Sequence, residues 1–135
     1  MLAFTFPGQG SQQPGMGRPW VGHPSWALVE AASTASGRDV AALLLDADAD
    51  ELRRTENAQL ATFVLSLVVH DAARALGLRC ALAAGHSLGE YSALTAVGAM
   101  SVEDRVRLVA ARGSAMQQAA DARPGTMAAV LGADD

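Results

Sequence analysis

What this chain has little of excludes several functions. It has one cysteine, Cys80, so no disulfide can close within it, and a reducing compartment is expected. Cys80 adjoins the apolar segment Ala81–Ala84, which favours a buried structural thiol over a reactive one. Positive charge is also scarce. Ten basic side chains against 14 acidic ones give a formal net charge of −4, which is no footprint for nucleic acid. No stretch approaches the roughly 18 uninterrupted apolar residues of a membrane span. Met1-Leu2-Ala3-Phe4 carries no basic n-region, so no signal peptide is expected. The three histidines and the cysteine show no metal-ligand spacing. No Gly-Lys-Ser/Thr marks a phosphate loop, and no dinucleotide fingerprint is present. The expectation is a cytoplasmic protein with no nucleic acid and no membrane among its partners.

What remains is globular composition. The chain has 135 residues, 50% hydrophobic and 18% charged, enough for one domain with a real core. Its organising stretch is Gly85-His86-Ser87-Leu88-Gly89, set between Ala81–Ala84 and a helix-like run from Glu90 to Val97. Strand, G-x-S-x-G, helix is the layout of a nucleophile elbow. Reversing from strand to helix within about two residues strains the serine backbone, and a Cβ two positions before or after it would strike neighbouring backbone. The serine Oγ is then held at the tip of the turn. The peptide N–H groups that open the following helix point at whatever the serine attacks, where the helix dipole favours negative charge.

Before the elbow, Leu2–Phe6 reads as a short buried strand. Pro7-Gly8-Gln9-Gly10-Ser11-Gln12 and Pro14-Gly15-Met16-Gly17 follow as a glycine-rich loop, either an ordinary turn or a place where amides approach a reacting centre. Ser25 is placed to cap a helix through Ser36, ended by Gly37, and Asp39 to cap a second short helix with Val40, Leu43 and Leu44. Asp46–Asp50 reads as a solvated acidic loop. A long helix is expected from about Ala58 to Leu76, with apolar residues nearly all round it, hence buried on more than one side. Ala81–Ala84 is a poor strand by propensity and is read as one because an elbow requires it. After Gly98, Ser101-Val102-Glu103-Asp104 matches a capping box opening a helix to about Ala120. Val102, Val106, Val109, Gly113 and Met116 form its core-facing stripe, with Arg105 and Arg112 together on one flank. Arg123-Pro124-Gly125 is a break, and Thr126–Leu131 reads as a further strand.

A serine nucleophile needs a base, usually histidine. His86 adjoins Ser87, but its side chain should point away, so it is read as positioning backbone. His70 is read as a core or edge histidine and His23 as a loop residue. No histidine follows His86, whereas nucleophile-elbow hydrolases take theirs downstream of the serine. Arg112 borders an apolar stripe, where it is either a snorkelling surface arginine or a clamp for a carboxylate.

Four motifs then resemble one family. Phe6-Pro7-Gly8-Gln9-Gly10-Ser11-Gln12, Gly85-His86-Ser87-Leu88-Gly89-Glu90-Tyr91, Arg112-Gly113 with Met116-Gln117, and Gly125-Thr126-Met127-Ala128-Ala129-Val130 are similar to malonyl-CoA:acyl-carrier-protein transacylases and the acyltransferase domains of polyketide and fatty-acid synthases. The resemblance runs in order from Leu2 to Asp135. It implies an α/β fold: residues 1–124 as the N-terminal part of an α/β-hydrolase-like large subdomain with a parallel sheet, and 125–135 as the start of a ferredoxin-like small subdomain. It implies Ser87 as the acyl-accepting nucleophile, the Gln9 and Leu88 backbone amides as the oxyanion hole, and Arg112, Met116 and Gln59 as substrate-binding residues. Leu60 stands where the family often has proline after that glutamine. Leu88 leans towards malonyl over methylmalonyl groups. Malonyl-CoA would be substrate, with no bound cofactor and no metal. The partners would be an acyl carrier protein, a coenzyme A thioester and a polypeptide supplying the C-terminal half, where the family's catalytic histidine lies. Family members are considerably longer, so this chain alone is expected to be catalytically incomplete. A serine hydrolase and a non-catalytic acyltransferase-like binding fragment are the competing readings.

Overall fold

The computed structural model describes residues 1–125 and 132. Two parallel strands, β1 (Ala3–Phe6) and β2 (Leu82–Gly85), pair in the register Ala3↔Leu82 through Phe6↔Gly85. The alanine-rich β2 forms despite weak propensity because β1 supplies its hydrogen-bonding partner. A parallel pair needs a long crossover. Here that crossover holds α1 (Ala27–Ser36), α2 (Val40–Leu45), α3 (Ala49–Arg53) and α4 (Thr55–Ala75). After β2 come α5 (Leu88–Ala96) and α6 (Val102–Ala122). The strand reading of Thr126–Leu131, and with it the small subdomain assigned to 125–135, lies outside the described residues apart from Gly125 and Gly132.

The core lies among the helices. Leu60, Phe63, Val64 and Val68 of α4 are fully buried, with Val29 of α1, Leu44 of α2, Leu88 of α5, and Val106 and Val109 of α6. Burying each such side chain contributes about 1.5–3 kcal/mol. The apolar stripe of α6 meets α4 as its spacing predicts.

Several local expectations change. The long helix starts at Thr55 and ends at Ala75; residues 57–64 are buried on every side, as expected, whereas Val69 further along it and Leu76 just past its end are exposed. Ser25 does not cap α1. A 3₁₀ turn, Pro24–Trp26, precedes that helix, and His23 Nδ1 accepts its Ser25 N–H at 3.1 Å. The Ser25 hydroxyl instead donates to Asp71 Oδ2 at 2.7 Å. The acidic Asp46–Asp50 stretch is not simply loop: Asp48 accepts from the Asp50 and Glu51 N–H groups and so caps α3. Cys80 is half-buried, because the turn before β2 lies at the rim of the sheet. Asp39 does cap α2, through the Ala42 N–H at 2.9 Å. Ser101 Oγ accepts the Asp104 N–H at 3.1 Å, but Asp104 returns to the Ser101 hydroxyl, where a capping box would use the backbone N–H.

Candidate active site

Because β1 and β2 run parallel, their C-terminal ends lie side by side, which is where open α/β sheets place ligands. The glycine-rich loop leaves β1 there and the elbow leaves β2 there. The loop is anchored. The Gly17 N–H donates to the Leu44 carbonyl at 3.0 Å, and the Arg18 guanidinium donates twice to the Leu45 carbonyl, at 3.1 and 3.3 Å.

The elbow has the strain its sequence predicts. Ser87 sits at φ 52°, ψ −106°, and is the one non-glycine residue with positive φ among the described residues. Such a backbone costs about 1–3 kcal/mol and is held by its surroundings. The two flanking glycines are those surroundings. A Cβ on Gly85 would lie 2.0 Å from the Gly89 carbonyl, and one on Gly89 would lie 2.2 Å from the Phe6 carbonyl oxygen. The turn closes when the Gly89 N–H donates to the His86 carbonyl at 2.9 Å. Ser87 itself is exposed, at the N-terminus of α5. Leu88, the first residue of α5, and Gln9 share one property: among the described residues, neither backbone N–H donates to a protein group.

Of the sequence-predicted residues, Arg112 reaches Ser87 directly, and Gln59, Met116 and the Gln9 side chain are linked behind it. Arg112 Nη2 donates to Ser87 Oγ at 3.1 Å, and its Nη1 donates to Gln59 Oε1. Gln59 is fully buried in α4. Its Nε2 donates to Met116 Sδ at 3.1 Å and to Gln9 Oε1 at 3.5 Å. Arg112 is thus no free surface arginine. It is half-buried, fixed at one end by Gln59, and its other end rests on the serine. Leu60, standing where proline is frequent, does not disturb this, because the Gln59 amide is set by α4.

Sequence reasoning assigned no role to Tyr91, Thr55 or Gln117. The Arg112 guanidinium carbon sits 5.5 Å from the centroid of the Tyr91 ring, within cation–π range. The signal existed, since Tyr91 lies four residues after Ser87 and shares its helix face. Thr55 accepts from Gln9 Nε2 at 3.4 Å and donates its N–H to Gln117 Oε1 at 2.8 Å. Nothing in the local sequence announces that tie between α4 and α6.

None of the histidines hydrogen-bonds Ser87 among the described residues. His86 is exposed, with its ring against Gly8. His23 caps the 3₁₀ turn and sits edge-on to Trp20. His70 sits edge-on to Phe4 and Phe6, at 5.5 and 5.9 Å. Desolvation, reinforced by the Arg74 charge and opposed by Asp71, holds its pKa below the ordinary imidazole value. No helix among the described residues is long and apolar enough to cross a membrane.

The site therefore combines a strained elbow serine, a second strand-end loop beside it and an arginine bonded to the serine hydroxyl. The chain belongs to the acyl transferase domain family, whose profile matches residues 3–134. It is 43% identical over 135 residues to the malonyl CoA-acyl carrier protein transacylase of Bacillus subtilis, covering 98% of this chain and 43% of that protein. The acyl-carrier-protein S-malonyltransferase of Bartonella henselae superposes with a TM-score of 0.82 at 41% identity, over 88% of this chain and 40% of that one. A malonyl-transacylase solved in complex with its type II PKS acyl-carrier protein superposes at 0.80 and 38%, over 87% and 39%. The chain therefore spans less than half the length of these relatives.

Proposed function

We propose that this chain carries the nucleophile and acyl-binding part of an acyltransferase that moves a malonyl group from coenzyme A to the phosphopantetheine thiol of an acyl carrier protein. The observation that carries the reading is the single guanidinium shared by Ser87 Oγ and buried Gln59. It sets a carboxylate-binding group within reach of the carbon that the serine would attack.

In this reading Ser87 Oγ attacks the thioester carbonyl and coenzyme A leaves as its thiol. The carrier's thiol then attacks the seryl ester, and Ser87 regains its proton. The Gln9 and Leu88 amides receive the oxyanion of each tetrahedral intermediate, and such donors typically contribute about 2.7–4 kcal/mol each. Arg112 holds the malonyl carboxylate through two parallel hydrogen bonds. Met116 and Gln59 wall that pocket. The general base comes from polypeptide outside these 135 residues, because His23 and His70 are engaged away from the serine and His86 makes no hydrogen bond to it. The partners follow: a coenzyme A thioester, an acyl carrier protein and the polypeptide bearing the base, in the cytoplasm, for fatty-acid or polyketide synthesis. Residues 1–124 form part of the large subdomain and 125–135 begin the small one.

The test is transfer of malonyl from malonyl-CoA to holo carrier protein, followed by the carrier's mass. The chain is assayed alone and mixed with the C-terminal half of a relative. The reading expects transfer in the mixture and little without it. Release of free malonate with no carrier loading would make the protein a hydrolase. Binding with neither product would make it a non-catalytic module.

A further inference from the structure

Arg105 is 1% exposed and is the largest fully buried side chain of the described residues. Among those residues no carboxylate pairs with it. Burying a guanidinium without a counter-ion is costly, and a guanidinium stays charged regardless. Its partners are neutral groups of a single helix. Nη1 donates to the Tyr91 carbonyl at 2.8 Å and to Thr95 Oγ1 at 3.3 Å, while Nε has no partner. An arginine that served only to keep the protein hydrated would stand exposed. A buried one that bonds only to α5 ties α5 to α6.

The position of that tie matters. Arg105 and Arg112 lie seven residues apart on one flank of α6, about 10.5 Å along its axis. Arg105 meets Tyr91 and Thr95, whereas Arg112 meets Ser87 and the Tyr91 ring. The two helices therefore run in opposite senses here, with Tyr91 held at both ends. Its carbonyl is bonded by Arg105, and its ring lies under Arg112. Ser87 sits at the N-terminus of the same α5. Any slide of α5 along α6 changes the Arg112–Ser87 distance directly.

We infer that Arg105 is a positioning residue that fixes α5 against α6 and so sets, through Tyr91, where the Arg112 guanidinium stands relative to Ser87. The consequence for acyl choice rests on the malonyl reading of Arg112 given above. The structural half of the inference does not. A displacement near 1 Å in such a constellation can cost about 100-fold.

Tyr91 is the only tyrosine in the chain, so selective ¹³C labelling of tyrosine rings gives one set of NMR signals that reports the stacked arginine. The experiment compares the whole 135-residue chain with Arg112→Ala, Arg105→Met and Arg105→Lys. It reads the Tyr91 ring signals and the ratio of malonyl-CoA to acetyl-CoA affinity. Arg112→Ala is expected to move the ring signals and abolish the malonyl preference. Arg105→Met should move the same signals in the same direction and reduce the preference about tenfold, with helical circular dichroism retained. Arg105→Lys should fall between, since an ammonium lacks the fixed fork of donors. If Arg105→Met does not fold, Arg105→Lys decides alone. Wild-type ring signals and a wild-type ratio in the folded Arg105 variant, with both altered in Arg112→Ala, overturn the inference and leave the malonyl reading intact. An unchanged ratio in Arg112→Ala sinks the malonyl reading instead, and the ring signals of the Arg105 variants still decide whether Arg105 positions Tyr91.

Discussion

Arg112 and Ser87 are 25 residues apart in sequence, yet the Arg112 guanidinium donates to the Ser87 hydroxyl at 3.1 Å. In the proposed reading this one contact joins the two chemistries the site needs, attack on an acyl carbon and recognition of a carboxylate beyond it. It exists because α5 starts at the serine and α6 crosses back over it with Arg112 on the facing flank.

Arg112→Ala should weaken transfer of malonyl by about 2–5 kcal/mol, as truncation of one partner in a buried hydrogen-bonded charge pair does. Acetyl, which has no carboxylate, should lose little. Competition between malonyl-CoA and acetyl-CoA for the same enzyme checks this. Equal loss for both acyl groups would mean that the arginine only supports the serine.

Gly89→Ala should damage the elbow more than an ordinary glycine substitution would. Its new Cβ would lie 2.2 Å from the Phe6 carbonyl oxygen, and backbone on either side cannot yield without moving β1 or α5. Overpacking of this kind typically costs about 1–3 kcal/mol or more. Thermal unfolding measures the loss. A melting temperature equal to wild type would mean that the strand and elbow do not pack this closely.

The elbow was legible in the sequence because its glycines have a steric cause that five residues express by themselves. Ser87 has the positive φ that cause demands, and Gly85 and Gly89 have the close backbone neighbours. The paired role of Gln59 was not legible from spacing. It depends on α4 and α6 packing together, and only the family resemblance points to it. Tyr91 was visible as a residue but not as a partner, because its role arises from an arginine on another helix. The misplaced cap at Ser25 has a similar origin. The hydroxyl that local pattern assigns to a helix N-terminus is claimed by Asp71, 46 residues later. At Asp46–Asp50 the local pattern does carry the cap, since an aspartate before a short acidic run is itself a good N-cap.

His70 gives a pH prediction with a definite sign. Its folded-state pKa lies below the ordinary value of 6.5, chiefly through desolvation and secondarily through Arg74. Below about 6.5 the unfolded chain takes up the proton more readily than the folded one, so acidification favours unfolding. The contribution is fully present above that pH and declines as pH falls through 6.5 towards the folded-state value. Urea titrations at pH 7.5 and 5.5 should show lower stability at the acid pH, and His70→Gln should reduce the difference. The opposite slope would place a stabilising anion against the imidazole.

The most direct test of the central claim is the mass of the protein after malonyl-CoA. The chain is mixed with the C-terminal half of a relative as a source of the base, treated with malonyl-CoA, and read by intact-protein and peptide mass spectrometry. The account predicts one malonyl group, on the peptide containing Ser87, and none on a folded Ser87→Ala variant treated in parallel. A malonyl adduct of similar yield on folded Ser87→Ala, or on a different residue of the wild-type chain, would contradict it.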